Sequence, residues 1–585
     1  MSLRIGVVLY LGTAALFCAV FTQDFVAYDD GSYVTNNPLV KQGVSLTAAW
    51  QALTTLNADT SYWHPLTWVS HQLDYALFGS EAGWHKLVNL VLHCHNTVLL
   101  YGLLYRIRPN PGCCAAVAAL FAGHPLHVES VVWVSERKDV LSTFFGFLAF
   151  HCYLDYCAKR SLKGYGLVVL SFACALMSKP MMVTLPALFL LLDFWMIGTR
   201  MSRFDTPVGS LHLLWEKLPL FLMSVGVGIV TLVAQNDLGI LASTVELPMA
   251  VRVANALESY WFYAAKTFVP LGLAVRYPYP TEFPAFSVCL TLVFFVGVSV
   301  LAYENRDRRP YFAFGWAWYV ISLLPVIGLI QAGMQGRADR YTYLSLIGLF
   351  VVIVWGLDDL IVRCRHIVFG FVSAVALVVY LPLTWLQIGF WKDSCTLFRR
   401  AVTVTEGNVL MHRALAENLD WNREAEEAWY HYQRAMECPR VDGAVFKSVA
   451  RFFRARGNLE REVTYLHRAL LWAPQQPGIL NRLAYIRATH PDLEVRDASW
   501  SVELARLACR YDDSSTALYQ HTLAAALAAS GDFREAVRVA EAALQSGRGA
   551  TGGEFQRRTE LYRQGLPFRD LSLPRRKQEK SDFDQ

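Results

Sequence analysis

The sequence predicts an all-α protein, a polytopic membrane helix bundle of about eleven spans followed by a solenoid of stacked helix pairs. Two observations carry this expectation. The 585-residue chain is 54% hydrophobic and only 17% charged, against roughly 25% charged residues in soluble domains. Its character also changes near Trp391. Long apolar runs precede that residue, whereas Arg, Glu, Gln and Ala at helical spacing follow it, with no run long enough to span a bilayer. The expected domains are a membrane unit over 1–390, a helical repeat unit over 391–565 and a charged, disordered tail over 566–585 that includes Arg575-Arg576-Lys577.

Apolar stretches of spanning length fall at 3–22, 86–105, 113–132, 139–157, 163–178, 181–197, 212–235, 285–303, 311–330, 341–360 and 366–388. The first carries only Arg4 ahead of its apolar run and no small-residue cleavage site before Asp29, so it reads as a retained helix and not a removed signal. A twelfth stretch, 255–272, is broken by Glu258 and Lys266 and is assigned to the interface. With the N-terminus in the cytoplasm, the cytoplasmic loops hold Arg106 and Arg108; Lys159, Arg160 and Lys163; Arg200 and Arg203; Arg306, Arg308 and Arg309; Arg363 and Arg365. That alternation obeys the positive-inside rule, and a spanning 255–272 would break it. The repeats then lie outside the cytoplasm, in a periplasm or an ER lumen.

Composition also excludes. The net charge of +5 is modest and sits in loops. No finger-like Cys/His spacing, Walker loop or dinucleotide fingerprint is present, so nucleic acid is not an expected partner. The 12 cysteines are scattered and define no disulfide framework.

Against the positive-inside bias, short outward loops hold Arg137-Lys138 in Ser-Glu-Arg-Lys-Asp, Lys179 in Met-Ser-Lys-Pro, and Arg337 and Arg340 in Gly-Arg-Ala-Asp-Arg-Tyr. Positive charge on the disfavoured side of a membrane needs a reason. One is a lipid-phosphate headgroup, which Arg forks and Lys point charges both bind. The other is internal pairing, with Glu136 and Asp139 flanking the first cluster and Asp339 beside Arg340.

Tyr28-Asp29-Asp30 closes the first apolar segment. A charge inside hydrocarbon costs about 2.5–3.5 kcal/mol, and a carboxylate at the water boundary avoids most of that cost. Such a pair either simply ends a helix or supplies a general base to a substrate presented by a lipid. The loop that follows, 24–85, carries Tyr33 and then Trp63-His64-Pro65, aromatic and polar types that suit a sugar. His85, His93 and His95 on the second segment and His124, His127 and Glu129 on the third raise a metal. His93 and His95 fall on different helix faces, however, His124, His127 and Glu129 match no recognised ligand spacing, and a metal site is not favoured.

Near the C-terminus, Gly531-Asp532-Phe533 stands between Leu527 and Ala536, and Gly457-Asn458-Leu459 repeats the frame ahead of Ala469 and Pro474. Small residues at these offsets let antiparallel helices pack closely, as in tetratricopeptide repeats, whose concave face usually binds peptide.

In order, Tyr28-Asp29-Asp30, Asn37-Pro38, Trp63-His64-Pro65-Leu66-Thr67, Leu73-Asp74, Phe78-Gly79, His124-Pro125-Leu126-His127-Val128-Glu129-Ser130, Ser135-Glu136-Arg137-Lys138-Asp139, Ser178-Lys179-Pro180-Met181 and Ala338-Asp339-Arg340-Tyr341 resemble the transmembrane and tetratricopeptide-repeat (TMTC-type) protein O-mannosyltransferases and their bacterial relatives. The Glu-Arg-Lys-Asp and Ala-Asp-Arg-Tyr motifs are the specific parts. The resemblance implies a GT-C fold and an inverting transfer of a monosaccharide, usually mannose, from a polyprenyl- or dolichyl-phosphate donor to Ser or Thr hydroxyls of an acceptor protein. It places the acidic residue of the first external loop at Asp29 or Asp30, with Asp29 taken ahead of Asp30 as the expected base. On that reading Arg137, Lys138, Lys179 and Arg340 hold the donor phosphate. Tyr33, Trp63, His64, Glu129, Glu136, Asp139, Asp339 and Tyr341 line or support the site, and no metal is required. A lipid-linked-sugar transporter and a membrane-anchored repeat scaffold are the alternatives.

Overall fold

The computed structural model describes residues 2–54, 63–201, 210–237, 247–331, 333, 335–361, 367–512, 517–545 and 552–574. Of the basic residues used for topology, Arg203, Arg363 and Arg365 lie outside the described residues, as do the side chain of Arg200 and residues 575–585. The described residues are mostly helical, with one two-stranded antiparallel ribbon among them, Tyr277–Pro278 against Gln335–Arg337. It divides into two units, Met1–Glu406 and Gly407–Gln585. The expected boundary at 390 marks the end of the last apolar run; the helix Ser394–Val404 belongs with the first unit.

In the first unit, seven helices among the described residues are long and apolar enough to cross a membrane, from Leu3–Thr22 to Ser373–Phe390. Pro111–Gly123 and Pro125–Val132 pass the same test together as a pair bent by 52° at His124, the geometry of a broken span or a re-entrant loop. Pro125 causes that break, because it restricts His124 to extended backbone and cannot donate to the helical ladder. Leu162–Ser178 and Pro180–Trp195 are apolar but shorter. The stretch assigned to the interface forms the helix Met249–Phe268 and is not among the seven.

Local chemistry sets the helix ends. Proline opens Pro65–Phe78, Pro111–Gly123 and Pro310–Leu323 at the first helical position, where a missing N–H costs nothing. The Asn110 side chain accepts from Cys113 N and the Ser161 hydroxyl from Gly164 N. Pro310–Leu323 crosses Thr342–Ile361 at Gly315 and Gly348, where a Cβ on either glycine would overlap the other's carbonyl oxygen. In a bilayer such close backbone approach replaces the hydrophobic drive that lipid does not supply.

The ends of the first and last apolar helices meet. Gln23 Nε2 donates to Ile388 O at 2.9 Å, Asp24 N to Lys392 O at 3.1 Å and Ala27 N to Ser394 Oγ at 2.8 Å. The chain therefore leaves its last apolar helix on the face where it leaves its first.

The second unit is a run of helix pairs: Val409–Trp421 with Ala425–Glu437, Gly443–Ala455 with Leu459–Trp472, Pro477–Thr489 with Ala498–Arg510, and Ala517–Ala529 with Phe533–Gln545. Asn408, Asp442, Asn458 and Asp497 cap successive helices. Buried Ala469, Ala484, Ala505 and Ala508 keep the helices close. Gly457 and Gly531 turn at φ of 70° and 91°, a region that glycine enters without steric cost. Residues 566–574, assigned by charge to the tail, instead pack on the helix Pro477–Thr489. Phe568 and Leu573 are buried, Tyr485 OH donates to Asp570 Oδ2 at 2.7 Å, and Asp570 N donates to Thr489 O at 2.8 Å.

Candidate active site

Three short breaks between apolar helices bring the site together, at 124–139, 178–184 and 335–341, and the first loop lies against them. Glu136 is the hub. Its Oε1 lies 3.1 Å from Lys138 Nζ and 3.2 Å from Arg340 Nε, and its Oε2 lies 3.3 Å from Lys179 Nζ. Lys179 also meets Asp139 at 2.5 Å, and Arg340 meets Glu129 at 2.5 Å. Side chains more than 200 positions apart thus share one buried lattice, which a lone charge could not survive.

The lattice is layered. Lys138, Lys179 and Arg340 side chains are 11–12% exposed, whereas those of Glu136, Asp139 and Glu129 are 1–4% exposed. The carboxylates are the more deeply buried layer and the cations the more exposed one, in a cluster that is nearly neutral.

The two aspartates part company. Asp30 is buried, and both its oxygens are taken: Oδ1 accepts from Ser135 N at 3.1 Å and Ser135 Oγ at 2.6 Å, and Oδ2 accepts from Val26 N at 2.9 Å. It fastens the first loop to the Glu-Arg-Lys-Asp segment. The Asp29 carboxylate has no hydrogen bond among the described residues. Its charged neighbours are Lys138, Arg340, Glu136 and Arg276. Burial raises its carboxyl above the ordinary range, Lys138 and Arg340 pull it back, and Glu136 adds to the rise. Asp29 is the free carboxylate of the pair.

Aromatic rings wall the site. Tyr28 stacks on Trp133 at 5.3 Å, with Arg340 over the same indole at 5.4 Å. Tyr33 stacks on Trp68 at 4.9 Å and on His64 at 5.6 Å, and Lys138 lies 4.6 Å over its ring while donating to its hydroxyl at 3.2 Å. Burial pushes the Tyr33 phenol up to about 12 and holds His64 well below its ordinary value, so both rings stay neutral at physiological pH. Asp339 accepts from Tyr277 OH at 2.9 Å, and Tyr341 OH accepts from Gln335 Nε2 at 3.2 Å beneath the Arg340 guanidinium.

Two expected site residues stand elsewhere. Arg137 points away from its neighbour Lys138 and is fully buried. It donates to Asp74 Oδ2 at 2.6 Å, Ser70 Oγ at 2.6 Å, His85 O at 2.8 Å and Asn89 Oδ1. Successive helical residues face different directions, so a basic pair in sequence is divided between the site and the packing of two helices. Trp63 donates to Leu53 O at 3.0 Å on the exposed edge of the loop. His124 and His127 do not converge with Glu129. His124 Nε2 meets Thr267 O at 3.0 Å, His127 Nδ1 meets Phe121 O at 2.7 Å, and Glu129 is held by Arg340.

Arg276 and Tyr277 were not singled out from the sequence. Arg276 donates to Tyr28 OH at 3.3 Å. Its signal was available, because it is a further positive charge after the interfacial stretch, on the side where the charge rule disfavours one. No motif marks it.

No family model matches the chain. It is 25% identical over 482 residues to the human protein O-mannosyl-transferase TMTC4, across 70% of this chain and 63% of that protein. A protein O-mannosyl-transferase of Caenorhabditis elegans is 21% identical over 435 residues, across 71% and 60%. The Xenopus laevis protein O-mannosyl-transferase tmtc2 is 34% identical over 175 residues, across 28% of this chain and 19% of that protein. The chain is a relative of the TMTC-type proteins. Its long apolar helices mark it as an integral membrane protein. It spans 63% and 60% of the length of the first two.

Proposed function

We propose that the chain is a membrane glycosyltransferase of GT-C type that moves a monosaccharide, mannose by its relatives' names, from a polyprenyl- or dolichyl-phosphate donor to Ser or Thr hydroxyls of a protein. The observation that carries this reading is the unbonded Asp29 carboxylate beside the more exposed cations Lys138 and Arg340. The donor phosphate lies on Lys138, Lys179 and Arg340, with Arg276 at the Tyr28 edge. Arg137 takes no part, since it is fully buried with four of its five donors taken.

The acceptor hydroxyl oxygen attacks the anomeric carbon as the bond from that carbon to the phosphate oxygen breaks. The bonding pair leaves with the phosphate, whose gathering charge is met by the cations, and the hydroxyl proton passes to Asp29. One displacement inverts the anomeric centre. Lipid phosphate departs readily, so positioning and charge neutralisation carry the rate and no metal is needed. Trp68, His64 and Tyr33 form a buried stack that holds Lys138 in place beside the donor site.

Eleven crossings follow if the bent pair, the two shorter apolar helices and Pro310–Leu323 also cross. The meeting of residues 23–27 with 388–394 supports an odd number, with the first and last apolar helices ending on one side, and the positive-inside alternation supports that side being the outward one. The helix pairs of the second unit, read as tetratricopeptide repeats, would engage the acceptor protein.

The test is transfer from dolichyl-phosphate mannose to a Ser/Thr peptide by the purified protein in lipid, assayed by mass spectrometry of the product. Wild type should glycosylate the peptide and Asp29→Asn should not. Equal turnover in that variant removes the assignment.

A further inference from the structure

Beneath the first loop, apart from Asp29 and its cations, lies a second cluster. His71 and Asp74 stand three residues apart on the helix Pro65–Phe78 and so share one face, and His85 opens the next helix, Ala82–Ile107. All three are buried, and one ligand atom from each lies within 4.8 Å of the other two. Among the described residues no other His, Cys, Asp or Glu side chains are grouped in this way.

The hydrogen bonds here are incomplete in a particular manner. His85 Nε2 lies 2.9 Å from Gly79 O, a carbonyl that can only accept, so the ring proton is on Nε2. Nδ1 then carries a lone pair, and it faces Asp74 Oδ2 across 3.6 Å with no hydrogen bond of its own. Two acceptors confront each other. Burial is what chiefly opposes protonating His85; the Asp74 carboxylate pulls the other way, and Arg137, which already donates to that same Asp74 oxygen and to the His85 carbonyl, adds a smaller opposition. His71 is fully buried with neither ring nitrogen bonded among the described residues. Burial and Arg137 hold it well below its ordinary value, hence neutral. Unbonded imidazole nitrogens in a dry site are costly.

We propose that His71, Asp74 and His85 form a metal site, taking a divalent transition-metal ion, zinc by ligand preference. Two neutral imidazoles and a carboxylate are a zinc donor set. The 3.6 Å between His85 Nδ1 and Asp74 Oδ2 is close to the edge of roughly 3.4 Å that bonds of 2.0–2.1 Å make in a tetrahedron. The Gly79 carbonyl on the far nitrogen of His85 is the outer-shell contact that orients a ligating histidine. Arg137 shares Asp74 with the ion, so affinity rests on the imidazoles. The ion clips Pro65–Phe78 to Ala82–Ile107 and thereby steadies Trp68 and His64 under Tyr33. This site is independent of the glycosyltransferase reading.

The test uses the full chain in detergent, purified without a polyhistidine tag, stripped with chelator and then given Zn²⁺ or Co²⁺. Bound metal, the Co²⁺ visible spectrum and Tm are read for wild type, His71→Ala, the more conservative His71→Asn, and the exposed-site control His95→Ala. Wild type and His95→Ala should hold about one ion per chain, show the visible bands of tetrahedral Co²⁺ and gain Tm on Zn²⁺ addition. Both His71 variants should lose at least tenfold in affinity and all of the Zn²⁺-dependent rise. If the His71 variants do not fold, the wild-type Co²⁺ spectrum decides. Wild type without stoichiometric metal or tetrahedral bands, or a folded His71→Asn that binds equally, overturns the proposal while leaving mannosyl transfer untouched.

Discussion

Asp29 and Asp30 are chemically identical neighbours with opposite employment, and substitution should separate them. Asp29→Asn removes a base with no hydrogen-bonded partner, so transfer should fall about 10²–10⁴-fold with Tm unchanged. Asp30→Asn turns an amide N–H₂ toward donors that Asp30 now satisfies. It should cost about 1–3 kcal/mol, read as a lower Tm. The pH profile of wild-type transfer adds a second check. A base acts only when ionised, and burial raises the Asp29 carboxyl. Activity should therefore fall with decreasing pH in a limb above the ordinary Asp value of about 3.9. Lys138 pulls that carboxyl down, so Lys138→Met should move the limb to higher pH in whatever activity remains; an unmoved limb would mean another group titrates. Which aspartate is free was beyond sequence reading. The choice depends on Ser135, over a hundred residues away, claiming one of them.

Arg137 shows how a helix divides a motif. Lys138 joins the site lattice, and Arg137 locks Pro65–Phe78 to Ala82–Ile107 through Asp74 and Asn89. Arg137→Met strands a buried carboxylate and should cost about 3–5 kcal/mol, seen as lost Tm and poor extraction, whereas Lys138→Met leaves Glu136 paired with Lys179 and Arg340 and should lower Tm less. The Gly315–Gly348 crossing is similarly strict. Gly348→Ala forces the two backbones apart and should cost about 1–3 kcal/mol by overpacking, with Tm again the measure. Helix placement was readable from apolar runs, Pro65 and Pro310 at helix starts, and Gly457 and Gly531 at turns, because each acts on its own neighbours. That Arg276 joins Tyr28 was not, since their contact spans about 250 positions and no local pattern records it.

For the molecule as a whole, the join between residues 23–27 and 388–394 makes a topological claim that can be checked. In a cysteine-free background, single cysteines at Asp24 and Lys392 should be labelled by a membrane-impermeant maleimide from one side of the bilayer, and one at Arg160 from the other. Labelling of Asp24 and Lys392 from opposite sides would refute the shared outward face. Composition, the change of character near Trp391 and the placement of charge in loops were enough to specify a helical membrane protein with a helical C-terminal unit, because hydrophobicity and helical period are properties of short stretches of chain. The motifs likewise named most of the charged side chains that meet. Folding alone settled which oxygen is left unbonded, which cations join the site lattice and which pair elsewhere, and that His71, Asp74 and His85 converge. Those outcomes depend on distances between segments far apart in the chain, and a buried charge takes its role from whatever partner packing brings to it.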